Sequence, residues 1–293
     1  MNPLDRFLII NKNGIKRVPL ARAAAARYLL GRTRISATDI AFDTAFSASY
    51  ALISEKKSTR FRAIMDHLDA YVGAGFYGPN KYWEYPWVLA NLKLQPNLKV
   101  LDAGCGTSPP QFVMARLGAK VHGIDPNEGV EWHGIDRRLA GRFGCAIEYR
   151  AEGLDKISYA DDTFDRVCCI SVIEHCRAKF VENERMTPQT DADKALQRKM
   201  MSELVRVLKP GGLLVLTTDF NFPRTDCRLD SNVDVANLLS VDGVRREEKR
   251  CPEAFYGEPD FDWRVLIENG DIDVSNHAEI LQTSIGFVVR KND

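Results

Sequence analysis

The chain has 293 residues, of which 45% are hydrophobic and 27% charged, and its 40 basic and 40 acidic side chains give a formal net charge of zero. That length suits one substantial α/β domain plus an extra lobe, and the composition is that of a globular protein with a sizeable core rather than a disordered chain. No uncharged apolar run approaches the roughly 18 residues of a membrane span. Asp5 and Arg6 precede only the short run Phe7 to Ile10, so no secretory leader is expected and a cytoplasmic location is.

Seven cysteines, at 105, 145, 168, 169, 176, 227 and 251, form an odd set with no Cys-x-x-Cys pair, as expected of free thiols in a reducing compartment. No metal motif is visible. Residues 1 to 34 carry eight basic side chains against Asp5 alone. This basic segment reads either as a solvated helical face or oligomer contact, or as a surface recruiting a phosphorylated, nucleic-acid or membrane-associated acceptor. Moderate overall charge and the lack of an RNA-binding module argue against a nucleic-acid partner.

In chain order, residues 1–95 read as a mainly helical extension. It includes alanine-rich Ala21 to Leu30, then Ser58 to Val72 with Phe61, Ile64, Met65, Leu68, Tyr71 and Val72 near helical spacing. Gly73 to Trp87 reads as a loop leading into a short helix. In residues 96–293 five short apolar runs alternate with helical or loop connections: Lys99 to Asp102, Lys120 to Asp125, Ala146 to Glu152, Asp165 to Ile173 and Gly212 to Asp219. Such alternation predicts a parallel sheet, and Thr283 to Arg290 adds a last strand. No internal repeat is present.

The first run, Val100-Leu101-Asp102-Ala103-Gly104-Cys105-Gly106, passes directly from an apolar strand into a Gly-x-Gly turn, and Pro109 and Pro110 can open the next helix. Its glycines allow backbone to approach a ligand at the carboxyl edge of the sheet. Nineteen residues after Gly106, the second run ends in Asp125, where a carboxylate can accept from vicinal ribose hydroxyls. Asp161-Asp162-Thr163-Phe164-Asp165 then leads into a buried strand that stops at Glu174-His175. Finally, Leu204 to Gly212 closes a helix with a Pro-Gly-Gly turn and feeds Leu213 to Thr217 into a strand.

In that order, over about residues 98 to 220, these motifs resemble the class I methyltransferase family. The resemblance implies a Rossmann-like α/β fold: a central, mostly parallel seven-stranded sheet with helices on both faces, plus an N-terminal mainly helical extension and lid. It also implies S-adenosyl-L-methionine as cofactor. Carried over by residue, Asp102, Gly104, Cys105 and Gly106 form the loop beneath the methionine part, with backbone amides and the Asp102 carboxylate orienting its amino-acid end. Asp125 holds the ribose, Pro126 and Asn127 border the adenine, and Glu152 with Gly153 and Leu154 meets its edge. The family often shows Gly-Asp-Ala there, whereas this chain reads Arg150-Ala151-Glu152-Gly153, which puts that third site in doubt. Ser171 and Glu174 end the fourth strand beside the sulfonium.

Dinucleotide dehydrogenases share a similar sheet but want a third glycine where this chain has Pro109, and no P-loop is present. Methyl transfer to a hydroxyl needs a base. His175 is one candidate, the alternative being that it caps a helix or packs on the cofactor; Asp219 is a second, the alternative being a turn-forming acid. Ser171-Val172-Ile173-Glu174 stands where amino-methylating relatives carry Asn/Asp-Pro-Pro-Tyr, which favours the hydroxyl of a small molecule or glycan. Asp219 to Arg224 and the stretch Cys251 to Trp263, with Phe255, Tyr256, Phe261 and Trp263, offer either aromatic pocket walls or ordinary core packing. Trp83 or Tyr82 either covers the sulfonium by a cation–π contact or fastens the N-terminal lobe to the sheet. A protein of another class, keeping the cofactor pocket for a regulatory or scaffolding role, is the competing expectation.

Overall fold

A computed structural model describes residues 50–72, 80–106, 109–126, 145–179, 187, 189–223, 233–247, 275–277 and 280–293. The basic N-terminal segment, Asn127, Arg224 and the aromatic stretch 251–263 lie outside the described residues.

Three helices come first: α1 (Ile53–Lys57), α2 (Thr59–Val72) and α3 (Lys81–Asn91). The strands follow as β1 (Lys99–Ala103), β2 (Lys120–Asp125), β3 (Ile147–Ala151), β4 (Phe164–Ile170), β5 (Leu208–Pro223), β6 (Val244–Arg246), β7 (Ser275–His277) and β8 (Ile280–Lys291). Between them lie α4 (Pro110–Arg116), a 3₁₀ turn (Ile173–His175), α5 (Asp191–Val207) and α6 (Val235–Leu239).

One path of seven strands runs β3-β2-β1-β4-β5-β8-β6, and β7 joins β8 off that path. β1 to β5 pair in parallel, and β8 is antiparallel to β5, β6 and β7. The expected Rossmann-like, mostly parallel sheet is present. Strand order reverses between β1 and β4, and the crevice at such a switch point is where open α/β sheets take their ligands.

Successive side chains alternate across a strand, so each strand feeds two cores. Val100, Cys168, Ile170, Leu213, Val215 and Val288 face Phe61, Ile64, Trp83, Trp87 and Phe112 of α2, α3 and α4. Leu101, Ala103, Ile124, Val167, Cys169, Leu214 and Leu216 face Met201, Leu204 and Leu238 of α5 and α6. Helices therefore cover both faces. α2 and α3 share a core with the sheet itself. Gly286 lets this happen in β8, because a Cβ there would stand 2.6 Å from the Trp87 ring.

Two local expectations need correction. The Pro-Gly-Gly segment is not a turn ahead of a strand: β5 already begins at Leu208. Opposite β4, its register jumps from Phe164↔Leu208 to Arg166↔Leu213, a bulge that absorbs the extra residues, with Gly211 at φ +70°. β4 ends at Ile170 rather than Ile173, because Ser171 turns left-handed at φ +50° and the chain enters the 3₁₀ turn. No helix among the described residues is long and apolar enough to cross a membrane.

Candidate active site

The carboxyl ends of β1, β2, β4 and β5 collect most of the residues singled out above. Gly104 and Gly106 adopt positive φ, 71° and 44°, which only glycine takes at little cost. A Cβ on Gly104 would stand 2.5 Å from a Val172 methyl, so the loop lies hard against the chain leaving β4. The amide groups expected to hold a ligand are already engaged within the protein. Gly104 and Cys105 both donate N–H to Ile124 O, at 2.8 and 3.0 Å, and Gly106 donates to Asp125 Oδ2 at 3.0 Å. The Cys105 side chain is buried, and its Sγ would sit 2.8 Å from a Cβ on Gly123, so it packs inside the sheet.

Asp102 is 1% exposed; its Oδ1 receives the Cys168 thiol at 3.4 Å, while Oδ2 is buried with no hydrogen-bond partner. Burial raises its pKa to about 7, against the lowering effect of the Cys168 thiol and the nearby Gln111 amide, which itself donates to Cys105 O. Asp125 ends β2, 8% exposed, and Tyr149 Oη and the Glu152 N–H both donate to its backbone carbonyl. Pro126 follows it, exposed. Glu152 turns back to accept the Ser158 N–H at 3.1 Å through Oε2, leaving Oε1 buried and unpartnered. Gly153 lies beside Asp155, whose Oδ1 is 3.0 Å from where its Cβ would be.

The other half of the site is a buried polar cluster. Glu174 is fully buried; Oε1 accepts the Asp219 N–H at 2.9 Å and Oε2 has no partner. Burial, then the neighbouring Asp219, pushes the Glu174 carboxyl up to about 7, and burial likewise raises Asp219. Asp219 is held at both oxygens, by Asn80 Nδ2 and Gln282 Nε2, each at 2.8 Å. His175 is exposed on the 3₁₀ turn, its N–H on Val172 O. Glu174, His175 and Asp219 offer one donor atom each within 4.8 Å of one another, a spacing one cation can bridge. Thr217, opposite the last residue of β4, adds another buried Oγ1 without a partner.

Trp83 does not face this cluster. It is fully buried, stacked on Trp87 at 5.2 Å between centroids, and its indole N–H donates to Glu55 Oε2 at 2.6 Å. The ring is held between α1 and α3 and leaves no exposed face toward a sulfonium. Sequence reasoning also missed Glu84, Asn80 and Gln282. For Glu84 a signal existed: an acid set among Trp83, Tyr85, Trp87 and Val88, on a helix otherwise buried there.

The sequence profile of a methyltransferase domain family matches residues 101–216. Residues 101–216 are a class I methyltransferase domain. The ubiquinone biosynthesis O-methyltransferase of Rhizobium etli is 33% identical over 121 residues, 41% of this chain and 41% of that protein. Its counterpart from Methylocella silvestris is 40% identical over 79 residues, 27% of this chain and 30% of that protein. The matched part thus spans less than half the length of these curated relatives. Phosphoethanolamine N-methyltransferase 2 of Haemonchus contortus, a solved structure, aligns with a TM-score of 0.49 at 14% identity over 80% of this chain and 59% of that one. Within the methyltransferase domain, Asp102, Gly104, Gly106 and Asp125 occupy the first two strand ends and Ser171 and Glu174 follow the fourth.

Proposed function

We propose that this chain transfers a methyl group from S-adenosyl-L-methionine to a hydroxyl oxygen of a small organic acceptor. The single observation that carries the reading is the row of buried, unpartnered oxygens along one sheet edge, Asp102 Oδ2, Glu174 Oε2 and Thr217 Oγ1, beside two left-handed glycines. Unpaired buried acceptors are costly, and a ligand bearing cationic or donor groups relieves that cost. The names of the curated O-methyltransferases support oxygen as the target.

When bound, the cofactor supplies an electrophilic methyl on a sulfonium. The chain's own residues do the rest. Gly104 and Gly106 permit close approach, Asp102 faces the amino-acid end, and Asp125, fixed by the Gly106 N–H, takes the ribose hydroxyls. Pro126 borders the adenine, with Glu152 and Gly153 beyond it, and Glu174 flanks the methyl, while the Ser171 hydroxyl is taken up by Glu84 and touches no part of the cofactor. Asp219, gripped by Asn80 and Gln282 and with its N–H on Glu174, accepts the acceptor's proton, and exposed His175 passes it to water. The test is transfer of labelled methyl to a panel of simple phenols and alcohols. Wild type labels an acceptor; Asp219→Asn cuts kcat by roughly 100-fold or more while leaving cofactor affinity within about twofold. Wild-type turnover in Asp219→Asn, or no labelling by wild type, contradicts the reading.

A second reading is favoured by the 4.8 Å trio: a divalent cation on Glu174, His175 and Asp219 that binds the acceptor oxygen. Chelation by EDTA leaves transfer intact in the first case and abolishes it in the second.

A further inference from the structure

Glu84 on α3 is wholly buried, yet its carboxylate takes hydrogen bonds from three places: Lys81 Nζ one turn back, Ser171 Oγ past β4 at 2.8 Å, and Ser284 Oγ of β8 at 2.6 Å. Its grip on Ser171 falls on a strained residue. Ser171 stands at φ +50°, where a side chain crowds its own backbone, and its N–H reaches Thr217 O at 3.0 Å. The next residue, Val172, sets its methyls 2.5 and 2.6 Å from where a Cβ on Gly104 would be. Contact therefore runs from Glu84 through Ser171 and Val172 to Gly104.

We propose that Glu84 is a positioning residue for the glycine loop: its carboxylate holds Ser171 left-handed and so seats Val172 against Gly104, fixing the loop that receives the cofactor. This rests on the reading of that loop as a cofactor cradle. Glu84 touches neither cofactor nor acceptor; it acts through Ser171. A packing role alone makes the identity of residue 171 irrelevant, whereas the clamp makes it decisive, because glycine holds a positive φ unaided.

The experiment is calorimetric titration of S-adenosylhomocysteine into the full chain, with thermal melting run alongside. Ser171→Ala, which keeps the Cβ but loses the hydroxyl that Glu84 holds, weakens binding by about tenfold, the worth of one released left-handed residue. Ser171→Gly retains wild-type affinity. Glu84→Ala weakens binding to the same degree, and Glu84→Ala with Ser171→Gly restores it. If Glu84→Ala does not fold, the Ser171 pair decides alone. Equal affinities for Ser171→Ala and Ser171→Gly, or a Glu84→Ala loss that glycine does not repair, overturn the role of Glu84 while leaving the cradle reading in place. Absence of binding by wild type removes the cradle reading and the proposal together.

Discussion

At Asp102, one carboxylate oxygen faces the Cys168 thiol, the other faces no partner, and burial lifts the pKa from 3.8 to about 7. A raised acid holds its proton more tightly folded than unfolded. Its contribution to stability is thus complete below about pH 4 and declines as pH climbs from there towards 7. Asp102→Asn removes that penalty. Its melting temperature at pH 8 is expected to exceed the wild type's, while its affinity for S-adenosylmethionine falls. A mutant that melts lower at pH 8 and binds equally well contradicts the assignment. Asp102, Gly104, Gly106 and Asp125 were legible because strand, turn and acid sit within one short stretch of chain. Asn80, Gln282 and Ser284 were not: their partners lie 139, 63 and 200 residues away, and only folding brings them together.

Elements that hold this edge in place depend on their own end groups. α5 opens with a capping box: the Thr190 hydroxyl accepts the Asp193 N–H, and the Asp193 carboxylate accepts the Thr190 N–H at 2.9 Å. Asp193 also takes the Ala178 N–H and pairs with Arg177, both side chains 4% exposed, so the loop after the 3₁₀ turn is pinned to the helix start. Burial works against the charged Asp193, but these donors outweigh it and bring the pKa from 3.8 down to about 2. Stability from this group is full above about pH 4 and lost as pH falls towards 2. Asp193→Ala is expected to cost roughly 2–4 kcal/mol at pH 7, since it removes the carboxylate beside buried Arg177 together with the helix cap, and to unfold with a shallower acid limb. Urea melts at pH 7 and pH 3 check it; identical midpoints at pH 7 contradict it.

The same scale explains which strands the sequence revealed. β1, β2, β4 and the Leu213 to Asp219 part of β5 are mostly buried and read as short apolar runs, whereas β3, at the sheet edge, is Ile-Glu-Tyr-Arg-Ala with no buried residue and shows only alternation. β6 and β7 have three residues each, and β6 at the sheet edge reads Val-Arg-Arg, too short and polar for such a pattern. The bulge at Lys209 to Gly212 looked like a turn because proline and glycine serve both.

Across the whole molecule, two helical layers grip one sheet, and the edge where strand order reverses gathers Asp102, Glu174 and Asp219, all with raised pKa values. Asp102 and Glu174, both raised to about 7, ionise between pH 6 and pH 8, and a cationic ligand binds them better once ionised, so affinity for S-adenosylmethionine is expected to rise over that window. Titration of S-adenosylmethionine into the wild type and Asp125→Ala at pH 8 tests the account most directly. It predicts one site per chain in the wild type and an affinity lower by roughly 1–3 kcal/mol in the variant, from lost charged hydrogen bonds. No binding heat in the wild type, or matching affinities in both proteins, would contradict it.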